Sequence, residues 1–439
     1  MFKGIFADKN TLTGKTTYYR SVFLVAMAAS VVVMFVTMLV TRGESARSFL
    51  FVGGSVKYNS DTFMDFFNSI VNTYNNPYDA KVIYPAICSL FFRFMLLLIR
   101  PSDFAEIVTN PNKAGQNPEL KLYQSFMLTY IIFLVIVIVL FFLALGALMK
   151  KSGNGEKSIM AFFCLFSAPF LFLIERGNIL ALSLVFAMLF VAYYDHERKL
   201  VRELALICLA ISISIKIYPV VFAVLLLNEK KYKELIRAAV YTIIVFFLPF
   251  AFFGGIEGVI KFVQNLSSTS SNSSLGINYQ LSFQKLPLWI GSLFGSRAPA
   301  WQMIGKAVWL VFSALGAVSL IVSKSRWKAC AICACMIVGV PSMSSRYTLT
   351  FFIIPIILML MEEKENKGLS YICLLLMSGL LFVKPLKFMS WTGASRYFGY
   401  KLDSVFYVAI FIILCVDAII QFVKRVRCKN EADGCAEGE

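Results

Sequence analysis

Residues 175–233 read ERGNILALSLVFAMLFVAYYDHERKLVRELALICLAISISIKIYPVVFAVLLLNEKKYK, and this stretch sets the pattern for the whole chain. Apolar runs alternate with short polar turns, as in proteins that cross a membrane many times. The two runs around KIYP (216–219) hold only about 11–15 residues each, below the roughly 20 that a straight span needs. Basic residues precede the first run and follow the second. Because positive charge concentrates on the cytoplasmic side, we expect the chain to enter the membrane and return to the same side. Irregular backbone at such depth requires surrounding protein or a water-filled cavity. The hairpin therefore predicts a cavity and favours a membrane enzyme or a carrier.

The rest of the chain follows the same pattern. Of its 439 residues, 59% are apolar and only 15% are charged, against about 25% charged in an ordinary soluble domain. This composition excludes a water-soluble globule, a coiled coil and a disordered chain. The sequence predicts an all-α polytopic membrane protein of about 12 transmembrane helices. The predicted spans are 21–40, 126–149, 158–174, 179–194, 201–215, 217–227, 236–253, 301–323, 329–340, 347–361, 369–383 and 402–423.

The charges of the linkers predict the orientation of these spans. Positive charge concentrates on the cytoplasmic side of membrane proteins, and the net charge here is +17. The linkers assigned to the cytoplasm are basic or mixed: 150–157, 195–202, 228–234, 324–328, 362–367 and 424–429. The alternating linkers should face outward, and both termini should be cytoplasmic. The basic excess then reflects cytoplasmic loops and anionic membrane lipid, with no nucleic acid partner.

The domain organisation is predicted to be simple. Residues 1–430 should form one polytopic domain, followed by a short cytoplasmic tail at 431–439. Within the domain we expect a large outer segment at 41–125 with juxtamembrane helices. The apolar run 82–99 contains Arg93 and would break the parity of the spans, so we interpret it as a juxtamembrane or incompletely crossing helix. Residues 254–300 should form an outer, flexible, Ser-rich loop.

Several kinds of chemistry are excluded by simple counts. His196 is the one histidine, which removes histidine-based zinc sites, Ser-His-Asp triads and histidine proton relays. Most of the ten cysteines lie in or beside apolar runs, where a thiol behaves as a small hydrophobe. The trio CAICAC (330–335) has a CxxC spacing but no second pair, so a metal or redox role is not favoured. We predict no metal and no cofactor.

Two acids in the outer segment are candidates for acid–base chemistry. Asp61 and Asp65 have i, i+4 spacing, so in a helix both carboxylates share one face. A carboxylate beside hydrocarbon has a raised pKa and can act as general base for a sugar hydroxyl. The alternative is a capping or solvated pair on a surface helix.

Cations beside the predicted outer turns are candidates for ligand binding. Arg176 and Asn178 lie in ERGN between two apolar runs, where a cation is costly unless it is paired or lines a cavity. Arg176 would bind a lipid phosphate and Asn178 a hydroxyl; the alternative is a surface turn closed by Glu175. Lys216 would bind a phosphate as a compact charge or extend outward to water.

Aromatic and hydroxyl side chains accompany these cations. Tyr84 follows the acidic segment, and Tyr218 lies in KIYP. PSMSSRY (341–347) supplies a further cation, Arg346, with Ser344 and Tyr347 beside it. Sugars stack on aromatic faces and cations bind phosphates, so these residues are candidates for donor and substrate binding. Anchoring at the membrane interface is the simpler alternative for the aromatic residues.

The order of these motifs resembles the GT-C superfamily of integral-membrane glycosyltransferases, and most closely glycosyltransferase family 87, the polyprenol-phosphate-mannose-dependent mannosyltransferase-like proteins. The resemblance covers about residues 55–360. The RGN and K-x-Y-P elements, around Arg176 and Lys216, are its more specific parts. Asp65 departs from the pattern, because many relatives have an aromatic residue at that place.

The resemblance implies a multi-helix membrane fold with a cavity at the outer leaflet. The donor would be a polyprenyl-phosphate sugar and the acceptor a glycan or glycolipid. The acid of the first outer segment, best matched by Asp61 with Asp65 as the second candidate, would be the catalytic base, and the sugar would be transferred with inversion. Arg176 and Lys216 would bind the donor phosphate without a metal. The resemblance also favours a plasma membrane location with the active site facing outward.

Two other functions remain open from the residues alone. A carrier or flippase for a lipid-linked glycan would contain broken helices in two related halves, and no clear halves are visible. A polysaccharide polymerase or ligase outside the GT-C group would have two large outer loops rich in arginine. The sequence gives no sugar, acceptor, linkage or oligomeric state.

Overall fold

The computed structural model describes residues 14–40, 42, 62–109, 123–271, 280–294, 299–362, 367–384 and 398–436. Within those residues every regular element is helical, which confirms the predicted all-α class. The α-helices are α1 (Gly14–Val40), α2 (Met64–Asn72), α3 (Ala86–Leu96), α4 (Pro101–Thr109), α5 (Gln124–Leu148), α6 (Asn154–Leu165), α7 (Ala168–Arg176), α8 (Leu180–Tyr193), α9 (Lys199–Ile215), α10 (Val224–Asn228), α11 (Tyr232–Phe247), α12 (Ile256–Ser271), α13 (Lys285–Leu293), α14 (Pro299–Val322), α15 (Arg326–Gly339), α16 (Ile353–Glu362), α17 (Lys367–Leu381) and α18 (Phe398–Ala436). Three 3₁₀ segments join them, Tyr218–Ala223, Leu248–Phe252 and Arg346–Phe352.

The described residues contain fewer long spans than the twelve predicted. Among the described residues, five helices are long and apolar enough to cross a membrane, and a sixth span forms if the bent pair α6–α7 counts as one. Five further apolar helices have only 10–17 residues, including α3, which covers most of the run 82–99. The chain is embedded in a membrane, but the twelve-span count is not confirmed. The difference arises because the other six predicted spans correspond to helical segments of at most 17 residues, too short to meet the length expected of a straight span.

Prolines explain where two of these breaks occur. The predicted span 158–174 is divided into α6 and α7, whose axes differ by 64°. Pro169 lies in the first turn of α7, where its missing N–H costs nothing, but it could not continue the hydrogen bonding of α6. Pro219 similarly lies in the first turn of the 3₁₀ segment that follows Lys216. The short arms predicted around KIYP therefore end in irregular backbone.

Two predicted non-helical regions contain helices. The segment 254–300 was predicted to be a flexible Ser-rich loop, yet it contains α12 and α13, and α12 runs through Ser271. The hydroxyls of Ser268 and Thr269 each donate to the carbonyl of Asn265 at 2.9 Å, so these polar side chains bond to the backbone of their own helix. The predicted tail is also partly helical, since α18 continues to Ala436.

The centre of the protein is built around two helices that are buried on nearly all sides. In α15 every residue from Trp327 to Gly339 is buried, and α8 is buried over most of its length between α5 and α9. Helices that are apolar all round are expected only in such positions. Cys333 and Cys335 of α15 donate to the carbonyls of Val221 and Tyr407, so these thiols pack as small side chains.

A buried ion pair fixes α1 to this bundle. Arg20 is 2% exposed, forms an ion pair with Glu156 of α6, and donates from Nε to the carbonyl of Leu360 at 3.1 Å. We expect Arg20→Met to destabilise the protein by about 3 to 5 kcal/mol, because it leaves a carboxylate buried without its partner. Thermal unfolding in detergent measures this effect. Lys261→Met, which breaks an exposed pair with Asp79, should leave the melting temperature unchanged; equal melting of both variants would contradict the prediction.

Candidate functional site

One of the two predicted acids, Asp65, lies at a point where four separate segments meet. It is in the first turn of α2, which begins at Met64 because Phe63 has the left-handed conformation, with φ 63°. The N–H of Phe63 donates to the carbonyl of Glu175 at 2.7 Å. This bond fixes the start of α2 against the end of α7. Asp65 is thereby brought beside the ERGN turn.

The opposite face of α2 packs into an aromatic cluster. Phe66 and Phe67 are fully buried, and both rings make edge contacts with Tyr130 of α5. The hydroxyl of Tyr130 donates to the carbonyl of Ile174 at 2.6 Å. Aromatic pairs of this kind add to the stability gained from burial. The cluster holds α2, α5 and α7 together and leaves Asp65 on the side facing the ERGN turn.

Asp65 makes two strong contacts in that turn. Its Oδ1 accepts a hydrogen bond from Arg176 at 2.5 Å, and its Oδ2 accepts one from Nδ2 of Asn178 at 2.8 Å. The side chains of Arg176 and Asp65 are 25% and 17% exposed, so the pair is accessible from one side. Both polar residues predicted from ERGN therefore contact the same carboxylate.

Gly177 makes this double contact possible. Its φ is 64°, and the chain reverses there at the end of α7, with Gly177 N–H donating to Ile174 and Asn178 N–H to Leu173 at 2.8 and 3.2 Å. Glycine is the residue that adopts this conformation without steric cost. A Cβ at this position would also lie 2.8 Å from Cβ of Phe66. The turn thus places the residues on either side of Gly177 against one carboxylate.

Tyr84 and Lys216 extend the site beyond the carboxylate. Nδ2 of Asn178 lies 3.2 Å from the hydroxyl of Tyr84, and Nζ of Lys216 lies 4.1 Å from the centre of the Tyr84 ring. The other amide atom of Asn178, Oδ1, accepts the N–H of Leu180 at 3.0 Å, which fixes the orientation of the amide. We name this group, Asp65, Tyr84, Arg176, Asn178 and Lys216, the Asp65 cluster.

Lys216 is held in a confined position after the last turn of α9. The preceding carbonyl, of Ile215, accepts a bond from the thiol of Cys88 at 3.4 Å. Burial lowers the pKa of Lys216 to about 8, although the negative charge of Asp65 opposes this shift. A nearby anion stabilises the charged form of a buried ammonium, so this position favours the binding of an anion. Its proximity to Tyr84 also supplies a cation–π contact.

The predicted substrate residue Tyr347 packs against the helix that ends in the ERGN turn. Its ring stacks on Phe172 of α7, with centroids 6.0 Å apart. Tyr218 begins the 3₁₀ segment that follows Lys216 in KIYP. The predicted roles of both tyrosines in substrate binding stay predictions.

Arg346 and Ser344 have other partners. Arg346 is 1% exposed, and its Nε lies 3.1 Å from Oδ2 of Asp403, which also pairs with Lys384. The Ser344 hydroxyl bonds to Thr348 at 3.0 Å, and its carbonyl accepts the N–H of Leu281. The structure does not bring either side chain into the Asp65 cluster, so their predicted roles remain predictions. Asp61, the acid favoured as the base, lies outside the described residues.

Two residues of this region were missed by the sequence analysis. Asp403 lies within an apolar run that was interpreted only as a span, although an acid at such a position is itself a signal of a buried partner. Phe63 gave no signal, because a left-handed conformation is uncommon for a residue that is not glycine. Among the predicted residues, the structure brings together one acid, two cations, one amide and one tyrosine, which are the members of the Asp65 cluster.

This arrangement suits a reaction in which a proton is taken up and negative charge develops nearby. A carboxylate accepts a proton from a hydroxyl. Two cations beside it stabilise an anionic leaving group. Tyrosine rings and an amide offer stacking surfaces and hydrogen bonds to a polyhydroxyl ligand.

Comparison with known protein families gives a match to the middle of the chain. The family model described as glycosyltransferase family 87 matches residues 120–344, just over half of the chain. The matched range includes the ERGN turn and KIYP, and Asp65 and Tyr84 precede it. A comparison with curated proteins finds no match.

Proposed function

The chain belongs to glycosyltransferase family 87, and from this premise we propose that it moves a sugar from a polyprenyl-phosphate donor to a glycan or glycolipid acceptor at the outer face of the membrane. That it is a membrane glycosyltransferase follows from the family. The observation that carries the finer proposal is the Asp65 cluster, in which a carboxylate contacts Arg176 while Lys216 lies nearby. A base takes the proton of the attacking hydroxyl, and two cations stabilise the phosphate that leaves. These are the groups that transfer from a sugar phosphate needs.

Asp65 is the general base in this proposal. Its carboxylate takes the proton of an acceptor hydroxyl while the hydroxyl oxygen forms a bond to the anomeric carbon of the donor. The bond between that carbon and the phosphate oxygen breaks, and polyprenyl phosphate leaves with the electron pair. Attack from the opposite face inverts the anomeric configuration. The structural support is that Arg176 and Asn178 hold both oxygens of the carboxylate in place.

Arg176 and Lys216 bind the donor phosphate in this proposal. A guanidinium has five N–H donors, so Arg176 can contact a phosphate while it remains bonded to Asp65. Lys216 adds a compact charge that gains from an approaching anion. Both cations stabilise the leaving group as its charge develops. Asn178, Tyr84, Tyr218 and Tyr347 are proposed to contact the sugars.

The membrane environment supports a lipid-linked donor. A polyprenyl chain is apolar and can pack against the lipid-facing helices. A soluble nucleotide sugar has no apolar chain that would make such contacts. The proposal places the protein in the plasma membrane with the cluster facing outward, as the charges of the linkers predict. It requires no metal, because the cations that face the phosphate are protein side chains.

A donor panel tests this proposal. The protein is reconstituted in liposomes with labelled polyprenyl-phosphate sugars, or with the corresponding nucleotide sugars, and a crude membrane-glycan acceptor. We expect release of free polyprenyl phosphate and no consumption of nucleotide sugar. Consumption of nucleotide sugars alone would overturn the proposed donor class. Movement of intact lipid-linked glycan between leaflets, without sugar transfer, would favour a carrier.

The pH dependence of donor binding tests the role of Lys216. The lysine is charged below its pKa of about 8 and neutral above it, so donor affinity should fall as the pH rises through this value. Donor affinity should fall about 10- to 100-fold, the effect expected from loss of one charge-assisted hydrogen bond. The measurement is the Kd for a fluorescent polyprenyl-phosphate sugar across this pH range. In Lys216→Arg the step should disappear, because a guanidinium stays charged; a step of equal size in that variant would assign the titration to another group.

A further inference from the structure

A polar cavity lies beside the end of α2, apart from the Asp65 cluster. Its volume is about 260 Å³. It is lined by Tyr74, Asn75 and Asn76 from the turn after α2, by Arg93 of α3, and by residues 252–254 that follow α11. None of these residues was singled out as a site residue by the sequence, and none belongs to the Asp65 cluster. We call this cavity the Asn76 pocket.

The amide of Asn76 has a fixed orientation in this pocket. Its Oδ1 accepts the N–H of Tyr78 at 3.1 Å, so its Nδ2 lies on the other side of the amide plane. That Nδ2 is 3.6 Å from the place where a side chain would begin at Gly254, a residue with φ 89°. The amide of Asn76 and the backbone at Gly254 therefore form adjoining parts of the pocket wall.

Aromatic contacts hold the other two polar groups in place. The ring of Tyr74 is half exposed and packs against Phe104 with centroids 4.7 Å apart. The guanidinium of Arg93 lies 5.4 Å from the centre of the Phe253 ring. A side chain supported in this way loses less conformational entropy when it binds a ligand. The pocket thus offers two amides, one guanidinium and an exposed phenol ring.

This combination matches a sugar ring. Amide and guanidinium groups donate several hydrogen bonds to neighbouring hydroxyls, and an exposed aromatic face covers the C–H face of a ring. We propose that the Asn76 pocket binds a sugar unit of the acceptor glycan that is remote from the reacting hydroxyl. This inference rests on the proposed function, because that function places the reacting hydroxyl of the acceptor glycan at Asp65.

The separation of the two sites sets the kind of acceptor. Asp65 and Asn72 lie on the same helix, which rises about 10 Å between them, and Tyr74 follows two residues later. That span exceeds one sugar ring. A glycan that reaches from Asp65 to the Asn76 pocket is therefore an oligosaccharide, and the pocket makes the enzyme selective for acceptor length.

Binding of an oligosaccharide series tests the inference. Purified protein is titrated with gluco-, manno- and galacto-oligosaccharides, from mono- to tetrasaccharide, and followed by saturation-transfer NMR. We expect affinity to increase with length for one of the three series. Asn76→Ala and Arg93→Gln should each weaken binding of its tetrasaccharide about tenfold, as expected for one lost hydrogen bond in a confined site. Asp79→Asn, which changes an acid in the same turn outside the pocket, should bind like the wild type.

Further outcomes separate this inference from the proposed function. Oligosaccharide affinity that is unchanged in both pocket variants, with wild-type melting temperatures, would overturn it. So would loss of phosphatidylglycerol binding in these variants with sugar binding intact, because the pocket would then bind a lipid headgroup. Asp65→Asn should retain length-dependent binding although it loses turnover. Pocket-dependent sugar binding without any use of a polyprenyl-phosphate donor would support the subsite while the proposed donor class fails.

Discussion

Asp65→Asn should lower turnover by about 10²- to 10⁴-fold, the usual contribution of a positioned general base. Asparagine keeps the shape of aspartate and can still accept a hydrogen bond from Arg176, but it cannot take the proton of an acceptor hydroxyl. The donor site loses one negative charge near the phosphate, so donor binding should be unchanged or tighter. Initial rates of polyprenyl phosphate release give kcat, and binding of a fluorescent donor gives Kd. A fall in kcat with donor affinity retained is the pattern of a lost base.

Two matched variants make this result specific. Asp79→Asn changes an exposed acid that pairs with Lys261 on the surface, and it should keep wild-type turnover. We expect Asp61→Asn to have a smaller effect than Asp65→Asn, because Asp65 contacts both Arg176 and Asn178. Loss of turnover in Asp61→Asn with activity retained in Asp65→Asn would give the role of base to Asp61. A carrier would show a transport defect instead of a change in kcat.

Much of the candidate site was predictable because its residues carry a local signal. Arg176 and Lys216 are cations between apolar runs, where an unpaired charge is costly, and the structure places both beside one acid. Tyr84 and Asn178 were part of the same motifs. The sequence could not choose between Asp61 and Asp65, since their spacing is compatible with one shared helical face. The structure adds the position of Asp65, which depends on where α2 begins. That start is set by the contact between Phe63 and Glu175, more than a hundred positions apart.

The number of spans was less predictable than the fold class. Apolar composition identifies the membrane environment, but it does not show where a run is broken into two helices. The breaks at Pro169 and Pro219 follow a rule of local structure, whereas the pairing of Arg346 with Asp403 is a tertiary contact. Arg346 lies in a predicted loop, and the sequence does not show that its partner is on a helix far along the chain. Its predicted role in donor binding stays a prediction.

Gly177→Ala should lower turnover by at least about 100-fold, nearly as much as loss of the base, although the variant removes no chemical group. A left-handed conformation costs about 1 to 2 kcal/mol for an L-residue. The new Cβ would also lie 2.8 Å from Cβ of Phe66 on α2, a contact that forces α2 and the ERGN turn apart. Because Arg176 and Asn178 contact Asp65 from the two sides of this glycine, a shift of 1 Å is enough to disrupt the geometry of attack. Both kcat and donor affinity should decline, unlike in Asp65→Asn.

Gly146→Ala is the matched control for this substitution. Gly146 lies in the long helix α5, and an added Cβ there meets no atom within 4 Å. Alanine is the better helix former by about 1 kcal/mol, so this variant should melt at or above the wild-type temperature with full turnover. If Gly177→Ala retains wild-type turnover and melting, the turn is not the element that positions Arg176 and Asn178. Comparison of the two variants therefore separates the strain at one left-handed turn from the general effect of adding a methyl group to a membrane helix.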